Sequence, residues 1–159
     1  MLKFSFIFSF VIGTIFALQV HAATTTAPAS TSATSAPQTL TPELEGLLRA
    51  GEITAKSWLG IVDRGEYGRS WDEMSSVTKN TVKRDEWEKI LTKTRKPLGT
   101  LKTRDVVDIR SAVNPKNLPT GNYMVMIYRS SFAKKNDAHE LVTLFLQNGQ
   151  WHVLTYQID

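Results

Sequence analysis

The amino-acid sequence predicts an α+β domain in which helices come first and antiparallel strands follow. Apolar side chains recur at helical spacing between residues 41 and 94, whereas residues 123–158 contain strand-like runs. The dipeptide Asn148-Gly149 separates the last two runs, and such a pair is the strongest short-range signal for a β-hairpin. Helices followed by consecutive antiparallel strands are typical of the α+β class.

Four amphipathic stretches predict the helical half. Thr41-Pro42-Glu43 supplies a cap, a first-turn proline and an acidic first turn, and Gly51 is expected to end this first helix. The later apolar stripes cover residues 55–62, 67–78 and 87–94, and Pro97 and Gly99 stop the last of them.

The second half predicts four strands, at residues 98–112, 123–132, 140–147 and 150–158. A two-residue turn then pairs positions across the hairpin: Gln147 with Gln150, Leu146 with Trp151, Leu144 with Val153, Val142 with Thr155 and Glu140 with Gln157. The other face carries an apolar row formed by Phe145, Leu154, Leu141, Tyr156 and Ile158. We expect this row to be covered either by a sheet-to-sheet homodimer or by the chain's own loops.

The N-terminal residues predict export. Lys3, an apolar run from residue 4 to 20 and small residues at Val20 and Ala22 are typical of a signal peptide over residues 1–22, cut before Ala23. The alternative is an uncut membrane anchor. Residues 23–40 are rich in Thr, Ala, Ser and Pro, which predicts a disordered linker before a single domain at 41–159. After cleavage we expect a periplasmic or secreted protein without a membrane span.

Composition limits the available chemistry. The chain has no cysteine, so disulfides, thiol nucleophiles and thiolate metal sites are excluded. No phosphate-binding loop or metal-ligand spacing appears, and we expect neither a metal nor a cofactor. The net charge is +4, and ten Lys or Arg residues lie between positions 79 and 110 against five acids. This run is either a solvated face with interleaved charges or a surface for an anionic partner. We expect no nucleic acid, because the protein is predicted to be exported.

Two sets of side chains are candidates for a site. Trp58, Trp71, Arg95 and Arg104 are candidates for ligand binding, and Asp63, Glu140, Tyr67 and Tyr123 are candidates for catalysis. The structural alternatives are that the aromatic residues form the core and that Arg95 or Arg104 pairs with Asp63 or Glu140. Asp63 is notable because the C-terminal end of a helix disfavours a carboxylate.

The chain also resembles a known family. Residues 58–71 read W-L-x-x-V-D-x-G-x-Y-x-x-S-W and residues 95–99 read R-x-P-L-G, followed by Arg104, Glu140-Leu141-Val142, Trp151 and Tyr156. In these residues the chain resembles the DUF4019 family of exported bacterial proteins, over about residues 52–158. The resemblance implies an NTF2-like or cystatin-like cone, with helices on a curved antiparallel sheet, and it implies no function. Lys83 departs from the pattern, where the family tends to have a capping serine.

Three functional hypotheses follow. The first is a small exported binding or interaction domain without catalysis. The second is an isomerase or lyase similar to ketosteroid isomerase, with Asp63 or Glu140 as base and Tyr67 or Tyr123 as oxyanion donor. The third is an adaptor for an anionic envelope polymer.

Overall fold

The structure, a computed structural model, describes residues 41–159, so the predicted signal peptide and linker lie outside the described residues. The helices are α1 (Pro42–Asp63), α2 (Tyr67–Asp72), α3 (Ser76–Thr81) and α4 (Arg84–Thr94), and a 3₁₀ turn follows at Lys96–Leu98. The strands are β1 (Leu101–Val113), β2 (Asn122–Phe132), β3 (Ala138–Gln147) and β4 (Gln150–Ile158). They form an antiparallel open sheet in the order β1-β2-β3-β4, which confirms the α+β prediction.

Helix α1 begins as predicted but does not end at Gly51. The Thr41 side chain accepts a hydrogen bond from the Leu44 amide at 3.3 Å, and the helix then runs without a break to Asp63. Gly51 is buried, and a Cβ atom there would lie 2.6 Å from the Cε atom of Met124. The prediction of a stop was wrong because this glycine lets the helix approach the sheet, which is a tertiary requirement.

The stripe predicted over residues 67–78 is divided into α2 and α3. Between them the backbone of Met74 forms a bridge with Val153, and the Ser75 amide donates to the Val153 carbonyl at 2.9 Å. The Thr78 hydroxyl donates to the Leu154 carbonyl at 2.6 Å. Residues 74–78 therefore cover the outer edge of β4.

The hairpin confirms the predicted turn and the first part of the register. Asn148 and Gly149 have φ values of 53° and 77°, as a type I′ turn requires, and pairing is as predicted up to Leu144 with Val153. Leu154 is then an extra residue on β4, so Thr143 pairs with Thr155.

The predicted pairs beyond that bulge were therefore wrong. Val142 pairs with Tyr156 instead of Thr155, and Glu140 pairs with Ile158 instead of Gln157. One inserted residue changes the side of the sheet on which every later side chain lies. Tyr156 and Ile158 thus join the helix-facing side, where both belong to or pack against the main core.

Two apolar clusters lie on opposite faces of the sheet. The larger one joins the helices to the sheet, and the Trp58 ring lies 5.4 Å from the Tyr156 ring and 6.2 Å from the Trp87 ring. The smaller one contains Tyr123, Phe145 and Leu154 under Val77 and Leu118. The apolar row predicted for a homodimer is therefore divided, and Val77 of α3 and Leu118 of the β1–β2 loop pack against its members Phe145 and Leu154. None of the helices within 41–159 has the length and apolar character needed to cross a bilayer.

Candidate functional site

A network of polar side chains lies at the C-terminal end of α1, between the helices and the sheet. It takes one residue from each strand and one from the end of each of two helices: Arg104 (β1), Ser130 (β2), Glu140 (β3), Tyr156 (β4), Asp63 (α1) and Arg95 (after α4). The sequence positions span 94 residues from first to last, so only the fold brings them together.

Arg104 joins the two carboxylates. Its Nε and Nη2 atoms donate to the two oxygens of Glu140 at 2.6 and 3.0 Å. Its Nη1 and Nη2 atoms donate to the two oxygens of Asp63 at 2.7 and 3.0 Å. A planar guanidinium suits this double bidentate arrangement, which a lysine could not reproduce.

Glu140 is completely buried, and its carboxylate is fully engaged. Besides the two bonds from Arg104, it accepts hydrogen bonds from the Tyr156 hydroxyl at 2.6 Å and from the Ser130 hydroxyl. An ionised carboxylate offers about four lone-pair sites, and these four donors occupy them. Glu140 therefore has no lone pair left to accept a proton from a substrate.

Arg95 completes the charge balance around Asp63. Its Nη2 atom donates to Asp63 at 3.0 Å, and its Nη1 atom donates to the Gly99 carbonyl at 2.7 Å. The guanidinium lies over the Phe132 ring, 4.2 Å from the centroid, and Nε has no hydrogen-bond partner among residues 41–159. With two guanidinium groups and two carboxylates, the network carries no net charge.

The pKa shifts agree with this arrangement. Burial alone would raise the pKa of the Asp63 carboxyl, but the hydrogen bonds and charges of Arg104 and Arg95 outweigh burial and lower it. Burial also acts to lower the pKa of Arg104, but both carboxylates outweigh it and raise that pKa. Burial, reinforced by the charge of Glu140, raises the pKa of the Tyr156 hydroxyl, which stays a donor.

The two predicted tyrosines form no hydrogen bond with this network in the described part of the chain. Tyr123 is on the opposite face of the sheet, where it stacks on Phe145 and donates to the Pro119 carbonyl at 2.6 Å. Burial raises the pKa of Tyr123. Because Tyr123 lies on the opposite face of the sheet, it cannot act with Asp63 or Glu140 on one ligand. Tyr67 is half-buried on the helical side, and burial raises its pKa as well.

The tryptophan candidates contribute to packing. Trp58 is buried, and its Nε1 donates to the Ser70 carbonyl at 2.8 Å. Trp71 packs against the main core and donates to the Val82 carbonyl at 2.9 Å. Both indole N–H groups are thus satisfied within the chain, as buried tryptophans require.

A shallow cleft of about 470 Å³ lies between α2 and α4. Its walls are Gly65, Glu66, Tyr67, Gly68, Arg69, Arg84, Glu88, Thr92 and Lys96. Tyr67 is the one predicted site residue among them. A smaller hollow of about 380 Å³ lies on α4 alone, and neither space is lined by Asp63, Glu140 or Tyr123.

Comparison with known proteins identifies the family. The family described as "Protein of unknown function (DUF4019)" matches residues 54–156, which is well over half of the chain. The chain belongs to the DUF4019 family. The match includes every member of the network from Asp63 to Tyr156. No curated protein and no solved structure matches the chain.

Sequence reasoning missed two members of this DUF4019 network, Ser130 and Tyr156. Strand alternation from the hairpin turn placed Tyr156 on the wrong face, because the bulge at Leu154 was not visible in the sequence. Ser130 lies opposite Arg104 in the sheet, and that register became available only with the β1–β2 pairing. Within residues 41–159, no group of three or more potential ligands could hold a metal ion.

Proposed function

We propose that this DUF4019 protein is an exported binding or interaction domain that acts without catalysis in the periplasm or outside the cell. The observation that supports the absence of catalysis is that arginines hold both candidate bases and that Glu140 has no free lone pair. Asp63 keeps one lone-pair site, but its lowered pKa makes it a weak base. Glu140 accepts four hydrogen bonds at zero exposure, and Asp63 accepts three from two arginines. A general base needs a free lone pair within reach of the substrate proton.

The isomerase alternative fits these contacts poorly. It needs a carboxylate and a tyrosine hydroxyl that both face one cavity. Tyr156 and Glu140 are in contact at 2.6 Å, but the hydroxyl donates to the carboxylate and the Trp58 ring packs against the tyrosine. Breaking this pair to admit a substrate would leave one acceptor site of a fully buried carboxylate without a donor, which costs about 1–3 kcal/mol or more.

An enzymatic assay distinguishes these two hypotheses. The purified protein is incubated with a β,γ-unsaturated ketosteroid, and formation of the conjugated ketone is followed by its absorbance. We expect no rate above that of buffer. Turnover that disappears in Glu140→Gln, while the surface variant Glu73→Gln retains it, would establish the isomerase and refute our proposal.

One observation favours the anionic-polymer adaptor as a second candidate. The 3₁₀ turn and the β2–β3 loop meet, because the Lys134 amide donates to the Leu98 carbonyl at 2.9 Å. This contact brings Lys96, Lys102 and Lys134 to one end of the domain, and none of them forms an ion pair with any of residues 41–159.

Much of the remaining basic run argues for the solvated-face interpretation. Arg84, Lys89 and Arg110 form exposed ion pairs, and Arg95 and Arg104 are used in the network. Retention on an acidic polysaccharide column that falls with salt and with Lys96→Gln/Lys134→Gln would support the adaptor. Equal elution of that variant and wild type would exclude this end of the domain as the surface that binds the polymer.

Export has its own test. Mass spectrometry of the protein isolated from its native host should give a chain that starts at Ala23. A membrane-bound product that retains Met1 would refute cleavage and would support the anchor alternative.

A further inference from the structure

The two outer edges of the sheet differ in their protection. The edge of β4 is covered by residues 74–78, through the Met74 bridge and the bonds from Ser75 and Thr78. In the described part of the chain, β1 pairs on one side only, with β2. Its other side therefore presents unpaired backbone N–H and C=O groups over a strand of 13 residues. Such an edge readily pairs with another strand.

The same strand carries most of the large apolar side chains that the domain exposes. Four of the seven are on β1, at 42%, 61%, 36% and 71% exposure: Val106, Val107, Ile109 and Val113. Ile109 pairs with Met126, a core residue, so it lies on the helix-facing side of the sheet. Helix α1 reaches β1 through the contact of Asp63 with Arg104, five residues before Ile109. The helices thus leave this part of the strand uncovered.

We propose that the free edge of β1 pairs antiparallel with β1 of a second copy of this chain, which joins the two sheets into one. This inference goes beyond the proposed function and does not depend on export or on the absence of catalysis. It also uses a different surface from the sheet-to-sheet homodimer predicted from the sequence, whose apolar row the structure divides.

Two bulges in β1, at Lys102 and at Val107, limit which part of its edge can pair. The register with β2 shifts between Val106 and Asp108, so Val107 is the extra residue. A bulge twists the strand and interrupts regular pairing on its edge. The longest regular segment available to a partner therefore begins at Asp108 and ends at Val113.

Symmetry then selects one register for that segment. In an antiparallel pair, residues directly opposite each other share the same hydrogen-bonding orientation. One residue must therefore oppose its own counterpart, and the two-fold axis lies midway between these two copies. An axis at Arg110 would oppose two arginines, and an axis at Ile109 would place the bulge within the pairing. An axis at Ser111 opposes Ile109 with Val113 twice and Arg110 with Ala112, with no like charges opposed.

The resulting dimer is self-complementary but small. Two Ile109–Val113 contacts would cover the exposed apolar atoms of both residues in each copy, next to the new backbone hydrogen bonds. A single pair of strands buries an area at the low end of specific interfaces. We therefore expect a dimer that dissociates on dilution through the micromolar range.

Sedimentation and cross-linking of the purified mature protein test this inference. We expect the average mass to rise from one chain to two between about 1 µM and about 1 mM, corresponding to weak association. Val113→Lys and Ile109→Lys should each shift this midpoint at least tenfold, because each replaces an apolar partner with a charged side chain in both Ile109–Val113 contacts. Ile53→Lys is the matched control, since Ile53 is 59% exposed on α1 and away from the edge. Circular dichroism verifies that each variant is folded.

Because the chain has no cysteine, a single introduced cysteine can form a disulfide only with its counterpart in a second copy. Ser111→Cys should form a disulfide-linked dimer on oxidation, because opposed residues have Cα atoms about 4.5–5.5 Å apart, within disulfide range. Asn80→Cys, an exposed position on α3, should not. A monomeric mass at 1 mM, or a dimer that neither lysine variant weakens, would overturn the proposal. In the monomeric case, the edge would be left for a segment of another protein or for residues outside the described range.

Discussion

Removal of Arg104 is the most informative perturbation of the buried network. Arg104→Leu deletes four hydrogen bonds and changes a neutral set of two guanidinium groups and two carboxylates into a set with one excess negative charge. Glu140, at zero exposure, would then retain only the hydroxyls of Tyr156 and Ser130 as donors. Removal of one partner from a buried ion pair costs about 3–5 kcal/mol.

The size of the effect can be read from unfolding curves. Urea denaturation followed by tryptophan fluorescence should show a fall of about 3 kcal/mol or more in the free energy of unfolding. For a domain of this size, that loss corresponds to roughly 10 °C or more in Tm. Arg129→Leu is the matched control, because its pair with Asp137 is 65% exposed on the arginine side, and surface pairs contribute about 0–1 kcal/mol.

A double variant tests whether the uncompensated charge is the cause. Glu140→Gln in the Arg104→Leu background restores charge balance, because Asp63 keeps its bond to Arg95 at 3.0 Å. We expect this double variant to be more stable than Arg104→Leu alone, although each single change destabilises the protein. A free energy of unfolding for Arg104→Leu within about 1 kcal/mol of wild type, or a further loss from the second change, would refute the role of the uncompensated charge.

Three further predictions use other parts of the domain. Gly51→Ala should destabilise the protein by about 1–3 kcal/mol, because the new Cβ would meet Met124. Gly46→Ala in the same helix meets nothing within 4 Å and should stabilise the protein by about 0.5–1 kcal/mol. Urea denaturation should therefore give changes of opposite sign in the free energy of unfolding. Burial raises the pKa of Tyr128 to about 12, so the neutral hydroxyl stabilises the fold below pH 10, and this contribution should be lost as the pH rises from about 10 to 12. Tyr128→Phe should show a shallower alkaline loss, and an identical slope would contradict the assignment. Because the pKa of Asp63 is lowered on folding, its contribution to the free energy of unfolding is present above about pH 4 and is lost as the pH falls through the folded-state pKa. Between about pH 4 and about pH 2, the stability of Asp63→Asn should therefore fall less steeply than that of wild type.

Local patterns in the sequence determined the element types, their order and the turn. The cap at Thr41 and the Asn148-Gly149 turn act on neighbouring residues, through a side-chain bond to a nearby amide and through positive φ values. Apolar periodicity acts in the same short range, so the helices, the strands and the first hairpin pairs could be predicted. The possibility that Arg95 or Arg104 pairs with Asp63 or Glu140 also followed from residue type, because a buried carboxylate needs a cation.

Only the tertiary structure decided how these residues combine. Gly51 reads as a helix stop in isolation, yet it lies within α1 because Met124 of β2 occupies the space that a side chain would need. The bulge at Leu154 carries no local signal, and it turns Tyr156 toward Glu140. The difference in protection between the edges of β1 and β4 likewise depends on where residues 74–78 pack. These features depend on contacts between residues far apart in the chain, and sequence spacing carries no information about such contacts until the layers are packed.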